Sequence, residues 1–356
     1  MTHTFYQKIF LNAIFLALLC ACSNSSPVSS EVNEQANFYS VLTVYSPNGL
    51  GDLSYNDNIY KGFREALKAH ENLAVEAYTP IDEDDAEKVI AQWFAEKSNP
   101  AITDFVKKRL LVLTDASFET LLENHSGWRN SDGNEILWLD SRNLDSLNVY
   151  SRYIPLYGAS HLAGQVIHEF GVKKAACVLA NPELEPLEQS LEGFRDGFKE
   201  PGGTFDANDV FYLATSASAG FNMADSLYRL SYKLDSIGYR FVFPVAGGSS
   251  AGILRYTREF ADSNTFYTCG MDSDQQTYSK RVAFSVIKRM DTVVKEFVNQ
   301  WMADSTLEMA KTFGLLDGYA DIVIADAFKD AESKYAKQRE IAATAEEEYL
   351  KKTGRR

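Results

Sequence analysis

Residues 38–63 read FYSVLTVYSPNGLGDLSYNDNIYKGF, and this stretch passes from an apolar run through a glycine-rich turn into a helical pattern. The run FYSVLTVYS predicts a strand, and the continuation IYKGFREALKAH, with its apolar residues on one stripe, predicts a helix. The same alternation follows in LAVEAYTP, DDAEKVIAQWFAEK and LLVLTD, and it starts again after about residue 154. Alternating strands and helices favour parallel sheets covered on both faces, so we predict an α/β protein with two Rossmann-like lobes.

Length and charge agree with two lobes and limit the ligand. The chain has 356 residues, 45% of them hydrophobic, which is enough for two domains with cores. Its 49 acidic side chains against 35 basic ones give a formal net charge of −14. Such a surface does not favour nucleic acid, whose binding needs clustered Lys and Arg. It argues weakly against a polyanionic ligand as well.

The N-terminus is typical of an exported lipoprotein. Residues 1–22 contain an apolar run over 9–19 that is too short for a permanent membrane span, and the following LCAC places Cys22 as the acylated residue. An ordinary cleaved signal with incidental cysteines stays open as the alternative. The polar, Ser-rich stretch 23–37 predicts a flexible tether. Ser23 after the lipidated cysteine favours the outer membrane or the cell surface over the inner membrane.

Two cysteines remain in the mature body. Cys177 and Cys269 both lie in apolar, strand-like runs, which favours buried free thiols, although export would permit a disulfide. No histidine lies near them in the sequence, so they lack the ligand set of a metal site, and we predict neither a metal nor a cofactor.

The loops that follow predicted strands are where an α/β fold places its ligand. They read YSPNGLGDLSYND, LTDAS, WLDSRN, VAGGSSAG and CGMDSDQ, and four of the five carry aspartate. Arg142 is the one basic residue in the set. This composition favours a neutral ligand rich in hydroxyl groups, which would donate hydrogen bonds to the carboxylates.

The first of these loops could be taken for a phosphate-binding turn. Gly49 and Gly51 begin like a dinucleotide-binding motif, but the motif is not completed, no P-loop lysine follows, and Asp52 and Asp57 would repel a phosphate. The simplest interpretation is that Asn56 or Asp57 caps a helix that begins near residue 58. A cap does not explain the whole run of glycine, aspartate and aromatic residues at the end of a strand.

An enzyme is the competing class. Residues 248–252 match G-x-S-x-G, with Ser250 at the nucleophile position, but all five histidines precede it, so the triad order of α/β-hydrolases cannot be completed. A nucleoside hydrolase using Asp52 and Asp57 would need a calcium-binding aspartate cluster, of which only part is present. We therefore predict a binding protein rather than an enzyme.

Six stretches of the chain carry a resemblance to a known family: GDLSYNDNIYKGF, YGASHLAG, EGFRDGF, VAGGSSAG, GMDSDQ and SVIKRMD. They occur in the order found in the basic membrane protein family, and the chain resembles that family over most of residues 40–325. The members of this family are purine nucleoside receptor-like lipoproteins. The resemblance implies a type I periplasmic-binding-protein fold, two lobes joined by three crossovers, and delivery of a nucleoside to an ABC permease. The chain departs from the family at AGGSSAG, where the usual turn resembles AGGTG.

The resemblance also implies ligand contacts. By motif, Tyr55 stands where the family has a Phe that stacks on the base, with Phe221 as a second stacking face. The resemblance also implies polar contacts from both halves of the chain. Asn56 and Asp140 would contact the base, and Gly247 and Gly248 would contact the ligand through their backbones. Asp272 and Lys288 would hold the ribose hydroxyls, and Lys288 would also offset the charge of Asp272. A sugar or a flavin-like ligand and a role as a ligand sensor stay open.

The expected domain organisation places the ligand between the lobes of a monomer. Residues 38–153 and 270–312 are expected to form the first lobe, and 154–269 and 313–335 the second. The charged segment 336–356 is expected to be a solvated terminal helix.

Overall fold

The computed structural model describes residues 37–46, 49–96, 99, 105–114, 116–129, 133–141, 148–217, 219–263, 265–328 and 335–354. The predicted signal, the lipidation site at Cys22 and nearly all of the predicted tether lie outside the described residues, as does Arg142.

Twelve described strands form two six-stranded sheets. In chain order they are β1 (Phe38–Val44), β2 (Leu73–Tyr78), β3 (Val106–Leu113), β4 (Glu135–Leu139), β5 (Val149–Tyr153), β6 (Ala175–Leu179), β7 (Val210–Tyr212), β8 (Phe241–Val245), β9 (Tyr267–Asp272), β10 (Val282–Lys288), β11 (Ala310–Thr312) and β12 (Ala320–Ile324). The first sheet has the order β11-β5-β4-β3-β1-β2 and the second β12-β10-β9-β8-β6-β7. All pairs are parallel except β10 with β12. The predicted α/β class with two lobes is confirmed.

Helices cover these sheets. They are α1 (Tyr55–Ala69), α2 (Glu83–Ala95), α3 (Glu119–Asn124), α4 (Ser126–Arg129), α5 (Tyr157–Glu169), α6 (Glu185–Lys199), α7 (Ala224–Ser236), α8 (Ala251–Glu259), α9 (Met290–Met302) and α10 (Ala336–Lys352). In α1 the buried residues Ile59, Phe63 and Ala66 recur every three or four positions, which is the stripe that the sequence predicts. None of the described helices combines the length and the apolar character needed to cross a membrane.

The central strands are apolar throughout because both of their faces are covered. Every residue of β6 and β8 is buried. Cys177 in β6 and Cys269 in β9 are free, buried thiols, and burial raises the pKa of both. The expectation of buried free thiols is confirmed.

The chain crosses between the sheets three times: from β5 to α5, from β10 to α9, and from β11 to β12. Strand β10 pairs with β9 and β12 in the second sheet, although residues 270–312 were expected in the first lobe. The following helix α9 packs on α1 of the first lobe, where the backbone of Asp291 lies so close that a Cβ on Gly62 would be 2.5 Å from its carbonyl oxygen. A strand–helix rhythm cannot reveal which sheet a strand joins; the exact lobe boundaries stay a prediction.

The C-terminal helix α10 is packed on the fold instead of being solvated as expected. Ala342, Ala343 and Leu350 are buried, and the ring of Tyr349 stacks on Tyr157 of α5 at 4.1 Å. The charge pattern conceals this contact because two of the four buried residues are small alanines and a third is Glu346, so the apolar signal of the stripe is weak.

Candidate ligand-binding cleft

A cavity of about 460 Å³ lies where the carboxyl ends of the two sheets face each other. Its volume is within the range of small-molecule sites. The eight predicted ligand residues all line it: Tyr55, Asn56, Asp140, Phe221, Gly247, Gly248, Asp272 and Lys288. They meet because parallel strands end at a common edge and their loops converge there. The roles of these residues toward a ligand stay predictions.

Asp52 holds the first loop in shape. Helix α1 begins at Tyr55, and the Asp52 carboxylate accepts hydrogen bonds from the backbone N–H groups of Ser54 (2.9 Å), Asn56 (2.8 Å) and Asp57 (3.2 Å). The expectation that Asn56 or Asp57 caps this helix is therefore wrong, since Asp52 takes the N-terminal donors. The spacing of Asp52 before the helix is a signal from which this cap could have been read.

Asp57 closes the same loop from the other side. Its carboxylate accepts hydrogen bonds from the N–H groups of Gly51 (2.8 Å) and Leu53 (2.9 Å), the latter with a left-handed φ of 57°. The carboxylates of Asp52 and Asp57 are therefore both hydrogen-bonded to backbone N–H groups of the same turn. Burial raises the pKa of Asp52 to about 6, the three backbone donors oppose the shift, and the charge of Asp272 adds to it.

Asn56 lines the cavity wall, and its amide group is buried. Its Nδ2 donates to the carbonyl oxygen of Gly49 (2.9 Å) and lies 3.5 Å from Oγ of Ser46. Its Oδ1 is buried and has no hydrogen-bond partner among the described residues. Buried polar atoms are normally satisfied, so an unpaired acceptor in a residue of the cavity wall is unusual.

Tyr55 brings an aromatic ring to the cavity from the first lobe. Its hydroxyl donates to the carbonyl oxygen of Thr114 at 2.6 Å, which fixes the ring beside the end of β3. The ammonium of Lys288 lies 5.0 Å from the ring centroid. The ring is held by both contacts rather than by local helix geometry alone.

Phe221 brings a second ring from the second lobe. It packs on Gly247, where an added Cβ would lie 3.0 Å from the ring and the φ is +49°. The Phe221 loop is anchored by Ser249, whose hydroxyl donates to the carbonyl oxygen of Gly220 (2.6 Å) and accepts from the N–H of Met223 (2.7 Å). Sequence reasoning missed Ser249 because its partners lie in a distant loop.

Two charged contacts join the lobes across the cleft. Lys288 at the end of β10 forms an ion pair with Asp140 at the end of β4, and the two side chains are 3% and 6% exposed. The carboxylate of Asp272, whose charge Lys288 was expected to offset, accepts a hydrogen bond from Oγ of Ser54. Lys288 still acts on Asp272 through space. Burial raises the pKa of Asp272, and the positive charge of Lys288 opposes that rise.

Backbone strain accompanies these two aspartates. Asp140 and Asp272 have left-handed φ angles of 52° and 63° at the ends of their strands. Non-glycine residues in this region are uncommon and concentrate at functional sites.

Amides also tie the lobes together, and sequence reasoning missed them. Nδ2 of Asn58 in α1 donates to the carbonyl oxygens of Lys288 (2.6 Å) and Asp272 (3.2 Å). Nε2 of Gln275 donates to the carbonyl oxygen of Leu53 at 2.7 Å. Their partners are more than 200 positions away in the chain, so no local pattern could have revealed them.

The cavity wall is strongly acidic. Lys288 is the one basic side chain among its described lining residues. The acidic ones are Asp52, Asp82, Glu83, Asp84, Glu87, Glu119, Asp140 and Asp272. This imbalance disfavours an anionic ligand, because like charges repel strongly in a partly desolvated site.

The G-x-S-x-G serine is not arranged as a nucleophile. Ser250 is buried, and its hydroxyl donates to the carbonyl oxygen of Pro244 at 3.3 Å rather than to a base. His161 is buried in α5, with its Nε2 3.7 Å from Glu200, and burial lowers its pKa. The geometry agrees with the interpretation of the motif as a glycine-rich turn.

The family model for PnrA-like substrate-binding proteins of ABC transporters, Bmp, matches residues 39–352. The chain belongs to this family. Its members bind a substrate for an ABC transporter, and such substrate-binding proteins are exported. The resemblance seen in the sequence motifs is thereby confirmed. No curated protein matches the sequence significantly.

Solved structures with the same fold include other solute-binding proteins. An ABC transporter solute-binding protein from Aeropyrum pernix K1 superposes with a TM-score of 0.66 at 18% identity, covering 88% of this chain and 86% of that one. A periplasmic solute-binding protein from Actinobacillus succinogenes 130z with bound D-allose gives 0.59 at 14% identity, covering 82% and 99%. The transcription regulator CcpA of Lactococcus lactis gives 0.55 at 14%, covering 76% and 93%. At these identities the likeness establishes the fold alone, the type I periplasmic-binding-protein fold.

Proposed function

We propose that the protein captures a nucleoside, in the first place a purine nucleoside, between its lobes and delivers it to an ABC permease. The observation that supports this most is the presence of two aromatic rings on the cavity wall, Tyr55 from one lobe and Phe221 from the other. A planar base between two such rings gains about 1–3 kcal/mol for each stacking partner.

Polar groups beside the rings suit the rest of a nucleoside. Asn56 and Asp140, both on the cavity wall, offer an amide and a carboxylate to the base from the same side of the cleft. Asp272 can accept from ribose hydroxyls, with Lys288 close enough to balance its charge. The backbones of Gly247 and Gly248 allow a close approach from the second lobe.

The acidic wall leads us to expect a ligand without phosphate. One lysine, already paired with Asp140, does not compensate eight acidic lining residues. A nucleoside 5′-monophosphate should therefore bind much more weakly than the matching nucleoside.

Calorimetric titration tests this proposal directly. Purified protein is unfolded, freed of co-purified small molecules, refolded and titrated with inosine, adenosine and guanosine, with inosine 5′-monophosphate as the matched control. We expect submillimolar binding of at least one nucleoside and loss of that binding on phosphorylation. Absence of binding to all three nucleosides would refute the proposal.

A sugar is the second candidate. Carboxylates beside aromatic rings also suit sugars, and the structural neighbours include the D-allose-bound protein and a glucose-galactose binding protein from Geobacillus stearothermophilus. Titration with ribose, D-allose and glucose distinguishes the two, because the nucleoside proposal requires the base for binding. Native mass spectrometry of freshly purified protein adds the identity of any retained ligand.

We further propose that Cys22 carries a lipid anchor and that the protein acts as a monomer. Cys22→Ala should move the protein from the membrane fraction to the soluble fraction, whereas Cys20→Ala should leave it in the membrane. Light scattering of the soluble variant measures its mass. A membrane-bound Cys22→Ala protein would contradict the anchor, and a dimeric mass would contradict the monomer.

A further inference from the structure

Glu346 of the C-terminal helix α10 contacts the third connection between the lobes and the first turn of α5, which directly follows the first connection. The first connection, residues 154–156, leads from β5 into α5, and the third, residues 313–319, leads from β11 to β12. The carboxylate of Glu346 accepts a hydrogen bond from the N–H of Gly158 at 3.0 Å and another from the N–H of Leu315 at 2.8 Å. One side chain thus joins the third connection and the start of α5 to a helix outside the cleft.

The surroundings of Glu346 are shaped to admit it. An added Cβ on Gly158 would lie 2.6 Å from one carboxylate oxygen, and an added Cβ on Gly314 would lie 2.6 Å from the other. Real Cβ atoms do not approach oxygen so closely. Any larger residue at either glycine would displace the carboxylate from these contacts.

Helix α5 needs an acceptor from elsewhere in the chain. Its N-cap position is occupied by Leu156, which makes no side-chain capping hydrogen bond. The first N–H groups of a helix have no partner within the helix. Glu346 supplies an acceptor to one of them, the N–H of Gly158.

The same carboxylate is buried without a cation. Glu346 is 4% exposed, and no described Lys, Arg or His lies within ion-pair distance. Burial raises the pKa of Glu346 to about 7, the hydrogen bonds from Leu315 and Gly158 oppose the shift, and the charges of Asp317 and Glu347 add to it. The packed elements carry further charged or titratable groups near this site, among them Tyr349 on α10, Tyr157 and His161 on α5, and Glu192, Asp196 and Arg195 on α6.

We propose that Glu346 is a positioning residue for lobe closure, which fixes the C-terminal helix to the start of α5 and to the third connection and thereby sets how easily the lobes separate. The contacts exist in an arrangement in which the lobes touch across the cleft, as in the bond from Ser54 to Asp272. Loss of the contacts should favour separation. The inference requires only that two lobes of this fold move relative to each other, and it does not depend on the nature of the ligand.

Its pH dependence has a definite sign. The carboxyl of Glu346 has a higher pKa in the folded protein than the ordinary 4.5, so the stability it contributes is complete below about 4.5 and is lost as the pH rises through about 7. Ionisation therefore favours states in which Glu346 reaches water. The start of α5 and the third connection should loosen between pH 6 and pH 8.

Hydrogen exchange followed by mass spectrometry tests this on the full chain. Exchange is measured at pH 6 and pH 8, corrected for intrinsic rates, in peptides that contain Gly158 and Leu315. In the wild type, the corrected exchange of both peptides should be faster at pH 8 than at pH 6. Glu346→Gln, which keeps the volume and one acceptor, should remove that difference, whereas Glu348→Gln, an exposed position two residues further along α10, should retain it.

Glu346→Ala adds a second measurement. It should raise exchange in both peptides by roughly tenfold or more at pH 6, because two hydrogen bonds to a buried carboxyl are lost. It should also increase the radius of gyration measured by small-angle X-ray scattering. Unchanged exchange in either peptide, or a pH difference that persists in Glu346→Gln, would overturn the proposal. If Glu346→Ala does not fold, the pH comparison between wild type and Glu346→Gln decides.

Discussion

Replacing Lys288 by methionine should destabilise the folded protein strongly, and more at neutral pH than at acidic pH. Lys288 forms an ion pair with Asp140, and both side chains are almost completely buried. Methionine retains most of the length and apolar contact of the lysine stem. The substitution therefore removes the charge and leaves the packing nearly unchanged.

The magnitude follows from the burial of the pair. Removing one partner of a buried ion pair costs about 3–5 kcal/mol, because the remaining charge stays in a medium of low dielectric constant. Here Asp140 would lose its cation, and Asp272 would lose a charge that now lowers its pKa. We expect Lys288→Met to lower the free energy of unfolding at pH 8 by an amount within that range.

Urea unfolding at pH 8 and pH 5 measures the effect and its pH dependence. Without Lys288, the pKa of Asp272 rises further above that of the unfolded chain. Stability from a carboxyl with a raised pKa is complete below the unfolded value of about 3.9 and is lost as the pH rises. The difference between Lys288→Met and wild type should thus be smaller at pH 5 than at pH 8.

Lys280→Met is the matched control. Lys280 also forms an ion pair, with Asp262, but its side chain is 63% exposed. Exposed pairs contribute little, so this variant should resemble the wild type at both pH values. Our reasoning about the cleft is refuted if Lys288→Met is as stable as Lys280→Met at pH 8, or if its deficit is equal at the two pH values.

Three further substitutions test other parts of the molecule. Tyr55→Ala should raise the Kd for inosine by about 5-fold to 150-fold, the equivalent of one stacking partner, whereas Tyr55→Phe should retain most of the affinity; equal losses in calorimetry would exclude stacking. Asp52→Ala removes the cap of α1 and should lower the free energy of unfolding by about 1–2 kcal/mol, measured with urea; no change would mean that water replaces the cap. Gly197→Ala would place a Cβ 1.9 Å from the carbonyl oxygen of His161 and should lower the urea midpoint clearly. In the control Gly127→Ala the added Cβ meets no atom within 4 Å, so the urea midpoint should not change. Similar midpoints for the two variants would show that α5 and α6 separate easily.

Much of the candidate site follows from the order of residues alone. The loops at the ends of predicted strands contain Tyr55, Asp140, Gly248 and Asp272, and all four line one cavity. This was predictable because a parallel sheet brings the carboxyl ends of its strands to a common edge. Whether a stretch forms a strand, and which side chains follow it in the loop, depends on neighbouring residues and can be predicted from short stretches of sequence.

Contacts between distant segments could not be read in the same way. Asp140 and Lys288 are 148 positions apart, so no local pattern of the sequence indicates that they pair. The assignment of β10 to the second sheet is a similar case, because hydrogen bonding to β9 and β12 depends on the path of the chain through space.

The sequence by itself determined the α/β class, the division into two lobes and the family, because hydrophobic period, turn residues and motif order are properties of neighbouring positions. The tertiary structure decided which charges pair across the cleft, that Asp52 caps α1, and that Glu346 of an apparently solvated helix reaches the start of α5 and one connection between the lobes. These features depend on the distance and burial of groups far apart in the chain. Burial determines the free energy of a charge and the choice of its partner, and burial exists only once the chain is folded.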